Sequence, residues 1–112
     1  MVEPKYYPDS LRLDENVIAS SRFLFIYYYV TDKRLLRENK LSKKTYEVPV
    51  ERVSDSYPEQ NRIESLLKRG RITLVHSNHK KDVPIMRRKY FVMKNVKHPE
   101  ETYAAMQRVL QR

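Results

Sequence analysis

The sequence predicts one small α+β domain. Two stretches, 23–30 and 71–94, are rich in β-branched and aromatic residues, which favour strands. Two others, 57–69 and 99–112, combine helical apolar spacing with residues typical of helix ends. The chain has 112 residues, enough for one hydrophobic core but not for two. We expect residues 1–16 to form an irregular N-terminal arm and 17–112 to form the domain.

The most apolar stretch is FLFIYYYV at 23–30. Its aromatic and β-branched residues favour a strand that is buried on both faces, followed by a short helix over 32–41 with Leu35 and Leu36 facing the core. Periodicity alone also allows one long helix over 17–39. Both alternatives remain open at this point.

Residues 45–50, TYEVPV, alternate between apolar and polar side chains. Because Pro49 has no N–H to donate to a neighbouring strand, we expect a short edge strand here. The spacing of Ser56 and Glu59 is typical of a capping box at the start of a helix, and Gly70 is a residue that often ends one. These signals predict a helix over 57–69 in which Ile63, Leu66 and Leu67 form one apolar stripe.

Residues 71–77 and 83–94 are β-rich and are separated by the polar residues SNHKKD, which predicts an antiparallel hairpin. Pro99 then opens a last helix. Glu100 and Glu101 lie in its first turn and basic residues lie in its last, in agreement with the helix dipole. Its apolar side could face the core or a second subunit, and we expect a homodimer through helix 99–112.

The positive charge is concentrated in residues 68–97. This segment contains ten Lys and Arg residues and a single acid, Asp82, and its excess equals the net charge of +9 of the whole chain. A segment of one charge sign indicates a polyanionic partner. We therefore expect a basic β-hairpin that binds nucleic acid, and duplex DNA is favoured over RNA.

The composition argues against several other classes of protein. A single Gly argues against phosphate-binding glycine loops, and the absence of Cys excludes disulfides and thiolate ligands, so we expect no cofactor and a cytoplasmic location. The eight-residue run 23–30 is too short to cross a membrane, which needs about 20 apolar residues. His76 and His79 lie three apart on a hairpin without a third ligand, so we expect no metal site.

Residues 50–94 resemble the winged helix-turn-helix family. VERVSDS stands in the place of the second helix, PEQNRIESLLKRG in the place of the recognition helix, and RITLVHS and MRRKYFVMK in the place of the wing strands. The resemblance implies a small transcriptional regulator that enters the major groove with helix 57–69 and lays its wing along phosphates. The residues that we expect to bind nucleic acid are Gln60, Asn61, Arg62, Lys68, Arg69, Arg71, His79, Lys80, Lys81, Arg87, Arg88 and Lys89.

Two alternatives to this function remain. If residues 23–30 form a strand, the predicted element order is β-α-β-α-β-β-α. Apart from the last helix, this order is similar to that of archaeal chromatin proteins of the Alba type, which would imply sequence-neutral binding of DNA or RNA. The small size and the many tyrosines are similar to small viral proteins, which would imply a viral or mobile-element inhibitor of a host protein, in the host cytoplasm.

Two other patterns bear on chemistry. Tyr27, Tyr28 and Tyr29 offer stacking platforms for single-stranded bases, although such a run is more often core. Pro8-Asp9 and Glu38-Asn39-Lys40 fit the PD…ExK pattern of metal-dependent nucleases, in which two carboxylates hold the metal. Because Asp9 falls in the arm and Glu38 near the end of a predicted helix, we expect no enzyme.

Overall fold

The first half of the chain forms a four-stranded antiparallel sheet whose strands follow one another in chain order. The structure is a computed structural model that describes residues 6–77 and 88–110. The strands of this first sheet are β1 (Val17–Phe23), β2 (Ile26–Thr31), β3 (Arg34–Asn39) and β4 (Lys44–Pro49). Each strand pairs with the next, because short turns can connect only antiparallel neighbours.

The second half forms a three-stranded antiparallel sheet and two helices. A 3-10 turn, Val50–Arg52, leads into the second sheet. Its strands are β5 (Val53–Glu59), β6 (Arg69–Ser77) and β7 (Arg88–Lys97), with β6 in the centre. Helix α1 (Arg62–Leu66) connects β5 to β6, and helix α2 (Pro99–Leu110) follows β7. The α+β class predicted from the sequence is therefore confirmed.

One hydrophobic core joins both sheets to α2. Tyr28 of the first sheet meets Phe91 of the second edge to face, with 6.1 Å between the ring centres. Leu74 in the central strand and Met106 in α2 are completely buried in the same cluster. Burial of a side chain of this size stabilises the fold by about 1.5–3 kcal/mol, so these contacts connect the elements firmly.

The stretch 23–30 contains a turn and most of a strand. The strand interpretation is confirmed for β2, whereas the long helix over 17–39 is wrong. Leu24 adopts a left-handed backbone conformation with φ of 56°, and the chain reverses there so that Phe23 pairs with Ile26. Both faces of β2 are covered, since Tyr28 lies in the core and Tyr29 on the opposite face is 1% exposed.

The helix predicted over 32–41 is wrong, because these residues contain strand β3. Leu35 and Leu36 are both completely buried although they point to opposite faces of the sheet. Leu35 lies opposite Val48, and Leu36 lies opposite Tyr29. Two adjacent leucines therefore reflect a strand covered on both faces, which cannot be distinguished from a buried helix by periodicity.

The N-terminal arm, residues 6–16, contains no strand or helix and lies on the outer face of the first sheet. Arg34 anchors it: its Nε lies 2.8 Å from Glu15 Oε2, and its Nη2 donates to the Ser10 carbonyl at 2.8 Å. Thr31 Oγ1 also donates to Glu15 Oε2, at 2.6 Å. Tyr6 contacts Tyr27 edge to face, so the arm contacts the sheet at both of its ends.

Burial by itself raises the pKa of Glu15, which is 4% exposed. Hydrogen bonds from Arg34, from Thr31 and from the Arg12 backbone outweigh burial and lower the pKa to about 2. The carboxylate is therefore charged and paired in the folded protein.

The helix predicted over 57–69 is also wrong in its extent. Its first residues lie in β5, an edge strand that tolerates Pro58, and only Arg62–Leu66 form a helix. The capping box is formed by Asn61 and Glu64, whose side chains accept hydrogen bonds from each other's backbone N–H at 2.8 and 3.1 Å. The three side chains of the predicted apolar stripe lie on α1 and its C-cap and are 64–84% exposed: Ile63, Leu66 and Leu67.

Gly70 does not end a helix, because it lies inside β6. A Cβ at this position would lie 2.8 Å from the Glu59 carbonyl oxygen and 2.8 Å from Pro99 Cγ. The glycine is therefore required by the close approach of two neighbouring segments. The left-handed residue at this junction is Lys68, with φ of 56°.

Three predicted elements are confirmed. Strand β4 is an edge strand that ends at Pro49, and β6 and β7 pair as an antiparallel hairpin. Helix α2 begins at Pro99 with Glu100 and Glu101 in its first turn. The hairpin tip, residues 78–87, lies outside the described residues. Within 6–77 and 88–110, no helix is long and apolar enough to cross a membrane.

The apolar side of α2, on which the homodimer prediction depends, contacts the core of its own chain. Met106 is completely buried, and Tyr103 and Leu110 are partly buried against the same cluster. The Tyr103 hydroxyl donates to the Ser56 carbonyl at 3.0 Å. A subunit interface through α2 would therefore have to use its more exposed residues.

Candidate nucleic-acid interface

The predicted binding residues between 60 and 71 are largely occupied by local contacts. Gln60 Nε2 donates to the Arg69 carbonyl at 2.7 Å, and Asn61 caps α1. Arg69 Nη1 donates to Asn95 Oδ1 at 3.1 Å. Arg71 lies 3.3 Å from a Glu64 oxygen and 3.8 Å from a Glu59 oxygen. The other two predicted residues in this group, Arg62 and Lys68, are exposed.

The predicted residues of the hairpin fall mostly beyond what the structure describes. His79, Lys80, Lys81 and Arg87 lie outside the described residues. Arg88 is the first residue of β7, and Lys89 is exposed and pairs across the hairpin with His76.

The two predicted groups lie at opposite ends of β6. Arg69 is the first residue of this strand, and His76, opposite Lys89, is close to its last. Seven residues of extended strand separate these positions, a distance of roughly 23 Å. The group at 60–71 and Lys89 therefore do not form one compact surface.

A cleft of about 550 Å³ lies between the first sheet and strand β7. Strands β2, β3 and β4 contribute to it, as does the turn between β3 and β4. The lining side chains are polar, aromatic or basic for the most part, and none of them is acidic: Ile26, Tyr28, Arg37, Asn39, Ser42, Lys44, Thr45, Tyr46, Tyr90, Val92 and Lys94.

Three cations give the cleft its charge: Arg37, Lys44 and Lys94. The Arg37 guanidinium lies over the Tyr46 ring, 4.9 Å from its centre, and these residues are directly opposite each other on β3 and β4. Lys94 Nζ lies 5.5 Å from the centre of the Phe23 ring. A concave surface that carries cations without carboxylates attracts anions and concentrates them from solution.

Of the tyrosines that the sequence singled out for stacking, only Tyr28 lines the cleft, together with Tyr46 and Tyr90. The core interpretation of this run is confirmed for Tyr28 and Tyr29, which are only 3% and 1% exposed and offer no free face for stacking. Tyr27 is covered by Tyr6 and lies parallel to Tyr29. The accessible ring in the cleft belongs to Tyr90, which is 59% exposed.

The cleft could not be found from the sequence because its walls come from distant segments. Arg37, Lys44 and Tyr46 come together through the pairing of β3 with β4, and β3 was predicted to be a helix. Lys94 was part of the recognised basic segment, but no local signal places it near residues 37–46. The sequence indicated only that Tyr46 and Val48 lie on the same face of a strand, since they are two residues apart.

His76 is buried and 1% exposed, and neither of its ring nitrogens has a hydrogen-bond partner among the described residues. Burial lowers its pKa, and the nearby charges of Lys89 and Arg52 lower it further. The imidazole is therefore neutral near pH 7. Within 6–77 and 88–110, no group of three or more His, Cys, Asp or Glu side chains is arranged to hold a metal ion.

The residues of the PD…ExK pattern come together in space. Lys40 Nζ lies 3.8 Å from Asp9 Oδ2 and 3.5 Å from Glu38 Oε2. Glu38 lies near the end of strand β3, where the sequence predicted the end of a helix. The cluster has two carboxylates, with the Lys40 ammonium between them, and the Asp9 side chain is 95% exposed. Its geometry fits a surface ion pair.

No protein-family model matches this chain, and no curated protein matches it.

Proposed function

We propose that this is a non-enzymatic nucleic-acid-binding protein that contacts phosphates through its β6–β7 hairpin and the adjoining cleft. The cleft is the observation that carries the proposal, because it combines three cations and three tyrosines with no carboxylate. Such a surface suits a ligand with negative charges and flat aromatic groups.

Strand β7 belongs to the basic hairpin and also forms one wall of the cleft. Tyr90 and Lys94 line the cleft, and Lys89 precedes them on the same strand. Beyond it lies the segment with Lys80, Lys81 and Arg87 in the sequence. Because successive side chains of a strand point to opposite faces, Lys89 lies on the other face of β7 from Tyr90 and Lys94. Phosphate contacts with the basic residues of the hairpin would therefore lie outside the cleft, and contacts of this kind carry no sequence information.

A transcriptional regulator that reads duplex DNA in the major groove is the more specific form of the proposal. It depends on the predicted helix 57–69, of which five residues are helical. Because the Asn61 and Glu64 side chains cap α1, few polar groups of this element are left for base edges. This favours the sequence-neutral form of the proposal over the regulator.

A salt titration of binding tests the proposal. Duplex DNA, duplex RNA and single strands are compared by fluorescence anisotropy. If the protein neutralises about four to six phosphates, the logarithm of the binding constant falls with the logarithm of salt with a slope near −4 to −5 on duplex DNA. A slope flatter than about −1 on every nucleic acid would contradict phosphate binding.

Binding to a protein partner is the second candidate. It is favoured by Ile63, Leu66 and Leu67, whose exposure gives α1 an apolar surface of the kind that marks interaction sites. An inhibitor of a host protein belongs to this class. Absence of binding to every nucleic acid in the titration would leave this candidate.

We also propose that the protein is a homodimer through residues 99–112. Because Met106 faces the core, the interface would use exposed residues of α2, such as Glu101 and Arg108. Opposite charges on one helix can pair across a two-fold axis. Sedimentation equilibrium at increasing salt measures this association, and a monomer at low salt would contradict it.

A further inference from the structure

We infer that the cleft between the first sheet and β7 binds unpaired bases, so that the ligand is a single-stranded nucleic acid. This inference rests on the proposed function and names the form of nucleic acid that the cleft takes. It differs from the expectation of duplex DNA that the sequence favours.

The argument begins with what an aromatic cleft can recognise. In a duplex each base is stacked between its neighbours, so only an unpaired base offers a free face to a tyrosine. A double helix can contact the rim of this cleft, but its bases cannot reach the interior without leaving the stack. The volume of about 550 Å³ lies within the range of sites that enclose small organic ligands.

The exposed rings at the cleft provide the stacking surfaces. Tyr90 is the third residue of the edge strand β7 and is 59% exposed. Phe23 is 42% exposed at the neighbouring β1–β2 turn, where it contacts Lys94. Both residues leave an aromatic face exposed at the cleft, and such faces can stack with unpaired bases.

The cations stand where the phosphates of such a ligand would lie. Lys94 and Tyr90 are four residues apart on β7, roughly 13 Å along the strand. Arg37 and Lys44 lie across the cleft from them. No described carboxylate lies within 4.0 Å of the charged groups of Arg37, Lys44 or Lys94, so these groups are available to an anion.

The experiment compares one sequence as single-stranded DNA, single-stranded RNA and duplex DNA, with binding measured by fluorescence anisotropy at fixed salt. Wild-type protein should bind at least one of the single strands about tenfold more tightly than the duplex. Tyr90→Leu should weaken single-strand binding about tenfold while duplex binding stays within about twofold, because leucine lacks the aromatic face. Tyr90→Phe should retain wild-type affinity, and this result would also show that the site tolerates substitution.

The matched control is Tyr57→Leu, since Tyr57 is an exposed tyrosine on β5 that does not line the cleft. Tyr57→Leu should change neither the affinity for single strands nor the affinity for the duplex. Equal binding of single strand and duplex, or an effect of Tyr90→Leu no larger than that of Tyr57→Leu, would overturn the inference. Binding of the duplex alone would reject the single-strand inference and leave the proposed function standing, whereas binding of neither form would reject both.

Discussion

Arg34 and Glu15 form a buried ion pair, 2.8 Å apart, that holds the N-terminal arm on the first sheet. Both side chains are shielded from solvent, with exposed fractions of 6% and 0%. Arg34 also reaches the Ser10 carbonyl and Glu47. A single guanidinium therefore connects Ser10 and Glu15 of the arm to strands β3 and β4.

Removing the guanidinium should therefore destabilise the whole fold. We expect Arg34→Ala to lower the free energy of unfolding by about 3–5 kcal/mol, because Glu15 would keep a buried charge without its partner. Lys33→Ala, at an exposed neighbouring position, is the control and should change stability by less than about 0.5 kcal/mol. Urea denaturation measures both, and equal effects would show that the pair does not anchor the arm.

The same pair predicts how stability depends on pH. The pKa of Glu15 is about 2 in the folded protein and 4.5 in the unfolded chain, so its contribution is fully present above pH 4.5 and is lost as the pH falls toward 2. The full effect is on the order of 3 kcal/mol. Unfolding of wild type and Glu15→Gln should be compared between pH 2 and 6. Parallel pH profiles for the two proteins would contradict the lowered pKa.

Met106 distinguishes a core role of α2 from an interface role. Met106→Glu should prevent folding or greatly lower the melting temperature, because it places a carboxylate in a completely buried site. Ala104→Glu, on the exposed side of the same helix, should fold normally. Circular dichroism and size-exclusion chromatography provide the measurements. A folded Met106→Glu monomer derived from a wild-type dimer would instead indicate that Met106 lies in the interface.

Because the apolar residues of α1 are exposed, we expect their replacement by polar residues to have little effect on stability. Leu66 is 84% exposed, so Leu66→Ser should change the free energy of unfolding by no more than about 0.5 kcal/mol. Leu74→Ala, in the core, should cost about 2–5 kcal/mol. If Leu66→Ser destabilised the protein as much as Leu74→Ala, the side chain would have to be buried in solution.

The cluster of Asp9, Glu38 and Lys40 makes the absence of enzymatic activity testable. Incubation of the protein with single-stranded and duplex DNA in Mg²⁺ or Mn²⁺ should give no cleavage, because two carboxylates already paired with an ammonium group are a poor metal site. Cleavage would count as evidence for a nuclease only if it depended on the metal and on the two carboxylates of the cluster. Metal-dependent cleavage that is lost in Asp9→Asn and Glu38→Gln but kept in Asp14→Asn would show a nuclease.

The elements that sequence reasoning predicted correctly carry their signals within a few residues. Pro99 and the two glutamates after it define the start of α2, and Pro49 restricts β4 to an edge. The β6–β7 hairpin follows from two β-rich runs around a polar loop. Each of these signals acts through local dihedral angles, local charge or a missing N–H, so no knowledge of distant neighbours was needed.

The elements that were predicted wrongly depend on partners far along the chain. Residues 53–59 form a strand because β6 pairs with them, and this pairing outweighs the helix-like spacing of Ser56 and Glu59. The strand β3 likewise depends on β2 and β4 on either side. A helix satisfies its hydrogen bonds internally, whereas a strand cannot, so local patterns underestimate strands.

The sequence by itself determined that the positive charge lies in residues 68–97, that this segment contains a hairpin, and that a helix follows it from Pro99. Only the tertiary structure decided where the aromatic and basic groups of a binding surface meet. Tyr46 and Tyr90 are separated by more than forty residues in the chain, yet they line one cleft. Charge is a property of composition and can be read from the residues, whereas a cleft exists only where two sheets fold against each other around a shared core.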